Sequence, residues 1–156
     1  MFNKLLLIPF LGIFLLFFPT IANAQIVINE FSSASNPEWV ELYNTTPSVV
    51  ALNSYALYFD DNPETTQKVI FCENEQIVGN SYRLITRPTS SFWLANEGDT
   101  LILKNGNTVV DSISYGTGQS LTAPETTQSA ARSLDGSLNW IISDSPTPQG
   151  NQVSFT

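Results

Sequence analysis

The sequence predicts an all-β domain built as a two-sheet sandwich, and three observations carry that expectation. Beyond residue 25 the chain runs in short stretches rich in Val, Ile, Tyr, Phe and Thr, separated by clusters of Asn, Gly, Pro and Ser. No stretch sustains apolar residues at the 3.6-residue period of an amphipathic helix. Two of the runs are joined at Asn105-Gly106, a pair that readily adopts the positive φ angles of a tight hairpin turn.

The elements follow in chain order. Residues 25–31 (Gln-Ile-Val-Ile-Asn-Glu-Phe) and 38–44 (Glu-Trp-Val-Glu-Leu-Tyr-Asn) read as strands on their β-branched and aromatic content, with a Ser/Asn/Pro break between them. Strands at 49–52, 55–60 and 68–72 are bounded by Asn53-Ser54 and by the Asp60 to Glu64 turn. Residues 82–86 form the next strand. The expected hairpin pairs 100–104 with 108–115 across a type I′ turn, and 140–143 closes the set of nine. Residues 117–131 and the segment from Ser145, with its Pro-Thr-Pro-Gln-Gly-Asn, read as loop or extended coil. Nine short strands suit two packed sheets.

The first 24 residues stand apart from the domain. Lys4 supplies a positive start, residues 5–18 are apolar apart from Pro9 and Gly12, and Ala22-Asn23-Ala24 offers the small residues that signal peptidase requires. A cleaved signal peptide is expected at 1–24, with Gln25 as the first residue of a secreted, extracytoplasmic chain. The rival reading is a retained anchor, but the apolar run falls short of the about 20 residues a spanning helix needs. The remaining 132 residues suffice for one domain, 25–151, followed by a short tail at 152–156. The lone Cys72 cannot form an intrachain disulfide, and its apolar setting, Val69-Ile70-Phe71, predicts a buried inert thiol.

After Lys4 there are five basic residues against 14 acidic ones, a net charge of −9. The five, Lys68, Arg83, Arg87, Lys104 and Arg132, are spread along the chain and form no phosphate-binding cluster. Nucleic acid and anionic membrane surfaces are therefore not expected partners.

Histidine is absent, which removes imidazole-activated nucleophiles and imidazole metal ligands together. A hydrolase would have to work with carboxylates alone, and Glu30, Glu38 and Glu41 are the candidates. Strand alternation places Trp39, Glu41 and Tyr43 on one face and Val40 and Leu42 on the other. On that pattern Glu41 is a half-buried carboxylate satisfied by backbone or hydroxyl donors, a structural role. Asp60, Asp61 and Glu64 gather oxygen ligands in one turn, yet without the spacing of a calcium loop, so ordinary turn chemistry is expected and no metal or cofactor is assigned. Phe92 and Trp93 follow a turn-like Thr-Ser-Ser and are the candidate contact residues for an unidentified protein or glycan partner. Tyr55, Tyr58, Trp39 and Trp140 are read as sheet-face and core residues.

Four blocks in order carry a resemblance. They are Ile28-Asn29-Glu30-Phe31 with Glu38-Trp39-Val40-Glu41-Leu42-Tyr43-Asn44; Gly98-Asp99-Thr100-Leu101-Ile102-Leu103-Lys104 with Val109-Val110-Asp111-Ser112-Ile113-Ser114-Tyr115; Ala131-Arg132-Ser133-Leu134-Asp135-Gly136 with Asn139-Trp140; and Ser145-Pro146-Thr147-Pro148-Gln149-Gly150-Asn151. Together they resemble bacterial lamin tail domains, a family of immunoglobulin-like β-sandwiches in secreted and surface proteins. Gln149 departs from the pattern, since many members run Pro-Gly directly. The resemblance implies an immunoglobulin-like fold, no catalytic residues, and a role in binding, adhesion or scaffolding at the cell envelope or outside the cell. The alternative, from another class, is an accessory hydrolase of extracellular polymers using Glu38 and Glu41. The charge reading has a direct check: the chain should not be retained on immobilised DNA at about 150 mM salt, and retention there would overturn it.

Overall fold

A single irregularity in the first strand organises the sandwich. In the computed structural model, which describes residues 24–59, 68–86 and 94–149, β1 (Ile26–Ser32) pairs antiparallel with β2 (Trp39–Asn44). Ile28 lies opposite Leu42 and Glu30 opposite Glu41, so Asn29 is an extra residue, a β-bulge. Strict alternation would aim Glu30 at the core. The bulge instead sends Asn29 and Glu30 both outward, while Ile26, Ile28 and Phe31, all fully buried, point inward with Val40 and Leu42.

The remaining described strands are β3 (Val50–Ala51), β4 (Tyr55–Phe59), β5 (Lys68–Ile70), β6 (Gln76–Ile77), β7 (Tyr82–Thr86), β8 (Gly98–Asn105), β9 (Thr108–Gly116), β10 (Ser129–Arg132) and β11 (Trp140–Ser143). They form a five-stranded sheet in the order β11-β10-β1-β2-β7, a four-stranded sheet β5-β4-β8-β9, and a small β3-β6 pair. All pairings are antiparallel. The core fills the space between the two larger sheets, with Leu57, Phe59, Leu101, Leu103 and Tyr115 opposing the inward residues of β1 and β2. Phe31 meets Tyr115 at 4.8 Å and Trp140 at 5.9 Å between ring centroids, which places one aromatic cluster where the sheets converge. This is the expected all-β, immunoglobulin-like two-sheet sandwich. Residues 1–23 of the expected leader at 1–24, and the tail at 152–156, lie outside the described residues.

Several expectations are corrected. Ser129–Arg132, whose first three residues fall at the end of the expected 117–131 loop, is a strand between β1 and β11. Its Ser-Ala-Ala-Arg carries no β-branched or aromatic residue, but small side chains fit beside Phe31, with Ala130 directly opposite it. Gln76–Ile77 is a further short strand. Cys72 is exposed, because β5 ends at Ile70 and the chain turns, with Cys72 and Glu75 closing the turn through backbone and side-chain hydrogen bonds. The β8–β9 hairpin turns through Gly106 and Asn107, with φ of 58° at Gly106 and no positive φ at Asn107. That pattern belongs to a II′ turn with glycine first, in place of the expected I′.

Beyond the bulge, β1 has a gap in its ladder. β10 pairs with β1 at Glu30 and Phe31, leaving the same edge of Ile28 without a strand partner. Side chains complete it. Asp111 of β9 accepts the Ile28 N–H at 2.7 Å, and Arg132 Nε donates to the Ile28 carbonyl at 2.7 Å. The two side chains also join each other, Arg132 Nη2 to Asp111 Oδ2 at 2.7 Å, while the guanidinium stacks on Trp140 at 4.8 Å and bonds the Ser137 carbonyl. One ion pair thus ties β10 to β9, and one sheet to the other. Removing either partner strands the other charge with its neighbours already committed. Arg132→Ala and Asp111→Ala are each expected to cost about 3–5 kcal/mol in urea unfolding. The double variant should cost clearly less than the sum of the singles. Additive costs would show that the pair does not act as a unit.

Candidate functional site

The outer face of the five-stranded sheet gathers the charged residues singled out by sequence. Glu41 is 1 % exposed and Glu30 2 % exposed, and they are direct cross-strand neighbours. Glu41 accepts from Asn29 Nδ2 at 2.9 Å and from the Gln149 N–H at 2.6 Å. Glu30 accepts from Ser129 Oγ at 2.5 Å, and from the Thr147 N–H and hydroxyl at 3.0 and 2.8 Å. Both carboxylates are covered by the 145–149 segment, whose Thr147 and Gln149 N–H groups find no strand and are received by these side chains. The segment expected as coil is therefore docked coil.

Asn29 extends the network. Besides Glu41 it donates to Asp135 Oδ1 at 2.9 Å and accepts the Gly136 N–H at 3.1 Å. Tyr82 of β7 donates its hydroxyl to the other oxygen of Asp135. Gly136 has φ of 71° and sits against Tyr43 and Thr45, so a Cβ there would meet Thr45 Cγ2 at 3.0 Å. The Asp-Gly turn is thus a latch across β1, β2 and β7. Nearby, buried Asn44 holds the turn after β2 by donating to the Ser48, Ile77 and Val78 carbonyls and accepting from Thr46.

Glu38 is elsewhere. It lies on the core side of the same sheet, 7 % exposed, and accepts the Leu94 N–H at 3.0 Å. Glu38 and Glu41 therefore sit on opposite faces of one sheet and cannot flank a common bond as a glycosidase pair must. Glu30 and Glu41 do share a face, and Glu41 is pushed up from 4.5 to about 7, chiefly by burial, against the pull of its Asn29 and Gln149 donors. A raised pKa is what a general acid needs. Here it comes with acceptor oxygens occupied by the protein's own groups and almost no exposure. These carboxylates are structural acceptors.

The other candidates divide. Asp60, Asp61, Glu64, Phe92 and Trp93 lie outside the described residues. Trp39 and Tyr55 are buried, and Trp140 packs against the core, as expected. Tyr58 is half-buried on the outer face of the four-stranded sheet, with the Lys104 and Lys68 ammonium groups 4.6 and 5.8 Å from its ring centre. At one end of the sandwich, open depressions of 360, 420 and 610 Å³ share Glu97 and are lined by Thr117, Gln119 and Glu125 among others. Glu97 and Asp99 line the first of these, and Glu97 and Glu125 the third. Among the described residues no cluster of three or more His, Cys, Asp or Glu suits a metal. Sequence reasoning missed Asn29, Asp111, Arg132, Asp135 and Thr147 as network members; the polar and charged positions inside the four recognisable blocks were the available signal.

Fold and site together define an immunoglobulin-like β-sandwich module. A family model described as Lamin Tail Domain matches residues 19–117, and the chain belongs to that family, one of non-enzymatic immunoglobulin-like domains. The match ends before β10 and β11, the strands that carry Arg132 and Trp140. No curated protein and no solved structure matches the chain.

The Glu41 carboxylate sets the sign of a pH dependence. Its folded pKa lies above its unfolded value, so the folded state holds the proton more tightly, and the resulting stability is present below pH 4.5 and lost as pH rises through about 7. At about 1.4 kcal/mol per unit the loss is about 3 kcal/mol. Urea unfolding from pH 4.5 to 8 should show wild type losing roughly that much relative to Glu41→Gln. Parallel profiles for the two proteins would refute the assignment.

Proposed function

We propose that this chain is exported and acts outside the cytoplasm, at the cell envelope or beyond it, as a binding, adhesion or scaffolding module. The observation that carries the non-catalytic part of the reading is the outer-face network, in which Glu30 and Glu41 are consumed as acceptors for Ser129, Thr147, Asn29 and Gln149. With those carboxylates occupied, the loops and the exposed surface are what remain to meet a partner.

Export is supported by the leader pattern and by where the folded domain begins. β1 starts at Ile26, and Thr45 ties down the entry to it by donating its N–H to the Gln25 carbonyl at 2.9 Å. Cleavage before Gln25 leaves every residue of β1 in place. Partners are protein or glycan; a net charge of −9 after the leader disfavours nucleic acid and anionic lipid.

Two measurements test the reading. Intact mass of the protein recovered from envelope and medium fractions should correspond to a chain beginning at Gln25. The same chain, immobilised, should retain a component of those fractions, and a Glu30→Gln/Glu41→Gln variant that remains folded should retain it equally. Recovery only from the cytoplasm with the leader intact would overturn the export, and loss of a polymer-degrading activity in the double variant would overturn the non-catalytic assignment.

A further inference from the structure

The β10–β11 hairpin ends the five-stranded sheet with an unusual surface. Leu138 is 90 % exposed, Leu134 75 % and Ile141 47 %, all within eight residues. Single exposed apolar residues need no explanation, but three within one hairpin, at the edge of the sheet formed by the described residues, are unusual. The hairpin tip is pinned by its other members: Asp135 by Asn29 and Tyr82, Gly136 by Asn29, the Ser137 carbonyl by Arg132, and Ser133 by its N–H to the Asn139 carbonyl. The leucines are thus presented from a fixed backbone, which lowers the ordering cost of a contact.

The strand edge points the same way. Ser133 and Asn139 form a hydrogen-bonded pair, and antiparallel alternation makes Ala131–Ile141 and Ser129–Ser143 the next such pairs. The N–H and C=O groups of Trp140 and Ile142 therefore face away from β10, and β11 has no strand on that side among the described residues. An edge of this kind is a template for one more strand.

Charge selects the occupant. From Ser133 to Gln149 the chain carries Asp135 and Asp144 and no Lys or Arg, and exposed Glu125 is linked to this end through Gln128, which accepts from the Glu125 N–H and donates to Asp144 at 2.8 Å. The described cations are each held in pairings: Arg132, on this hairpin, by Asp111 with its guanidinium stacked on Trp140, Arg83 by Glu75, and both lysines over the Tyr58 face of the other sheet. A second copy would bring the same acidic end against this one. We propose that the β11 edge, with Leu134, Leu138 and Ile141, receives an extended segment of a partner protein that alternates apolar and basic residues and adds as a sixth strand. This deepens the binding-module reading above and rests on it.

The test uses the chain from Gln25 with two hexapeptides, capped Lys-Val-Lys-Val-Lys-Val and Glu-Val-Glu-Val-Glu-Val. The basic peptide should bind, slow hydrogen exchange at the Trp140 and Ile142 amides at least tenfold, and weaken with added salt; the acidic peptide should not bind. Leu134→Ser/Leu138→Ser, both at exposed positions, should weaken the basic peptide at least tenfold with the unfolding midpoint unchanged. Protection located elsewhere, equal binding of both peptides, or a concentration-dependent dimer abolished by the double substitution would overturn the proposal. If an envelope component is captured equally by wild type and by the leucine variant, this surface is refuted while the wider binding role stands.

Discussion

The bulge at Asn29 is the constraint on which the rest of the fold depends. A regular β1 could not bury Ile26, Ile28 and Phe31 together, because the odd spacing between Ile28 and Phe31 would turn one of them to the outer face. Inserting one residue reconciles the two sets and places Asn29 and Glu30 side by side on the exterior. Each fully buried apolar side chain is worth roughly 1.5–3 kcal/mol, so keeping Phe31 inside outweighs the break in the ladder at the bulge. The cost reappears as unmet peptide groups around Ile28, and Asp111 and Arg132 supply what a neighbouring strand would have supplied.

That arrangement explains why the recognisable polar residues of this chain are taken up by its own hydrogen-bond network. Asn29, Glu30, Glu41, Asp111, Arg132 and Asp135 all exchange hydrogen bonds with backbone or with one another. Buried polar groups are costly unless fully paired, and once paired they specify one arrangement of strands. Glu41 shows the tension directly: desolvation raises its pKa further than two donors can lower it. A site built for chemistry would leave such a group an open face for substrate. Here that face is filled by the 145–149 segment.

How much of this is legible in the sequence follows from which interactions are local. The sequence places β7 at Tyr82–Thr86, and β4, β8 and β9 to within two residues at each end, because β-branched and aromatic runs bounded by turn residues announce themselves. The alternation of Trp39, Val40, Glu41 and Leu42 is equally readable, although Glu41, expected half-buried, is 1 % exposed and takes one of its donors from Asn29. β10 is not, since Ser-Ala-Ala-Arg is chosen by its neighbours and not by its own propensity. Cys72 misleads because an apolar run at a sheet edge reads like one at its centre. The bulge and the ion pair escape for a related reason: Asp111 and Arg132 lie 83 and 104 positions from Ile28, and nothing within a short window marks their meeting.

The same distinction separates what the fold uses from what it leaves over. Asp135 and Gly136 close the latch, Arg132 and Trp140 anchor the hairpin base, and Ser133 meets Asn139 across the turn. The Leu134 and Leu138 side chains enter none of these interactions, and in a turn a serine or asparagine would serve the backbone as well. Exposing two leucines on a rigid, acidic sheet end raises the hazard of edge-to-edge association, which proteins ordinarily suppress with charge. From Ser133 to Gln149 the charges are all acidic, so they repel another copy of this chain while attracting a basic strand. The acidity of the chain and its apolar hairpin thus act as one selective surface, in which the carboxylates exclude self-pairing and the leucines retain a partner of opposite charge.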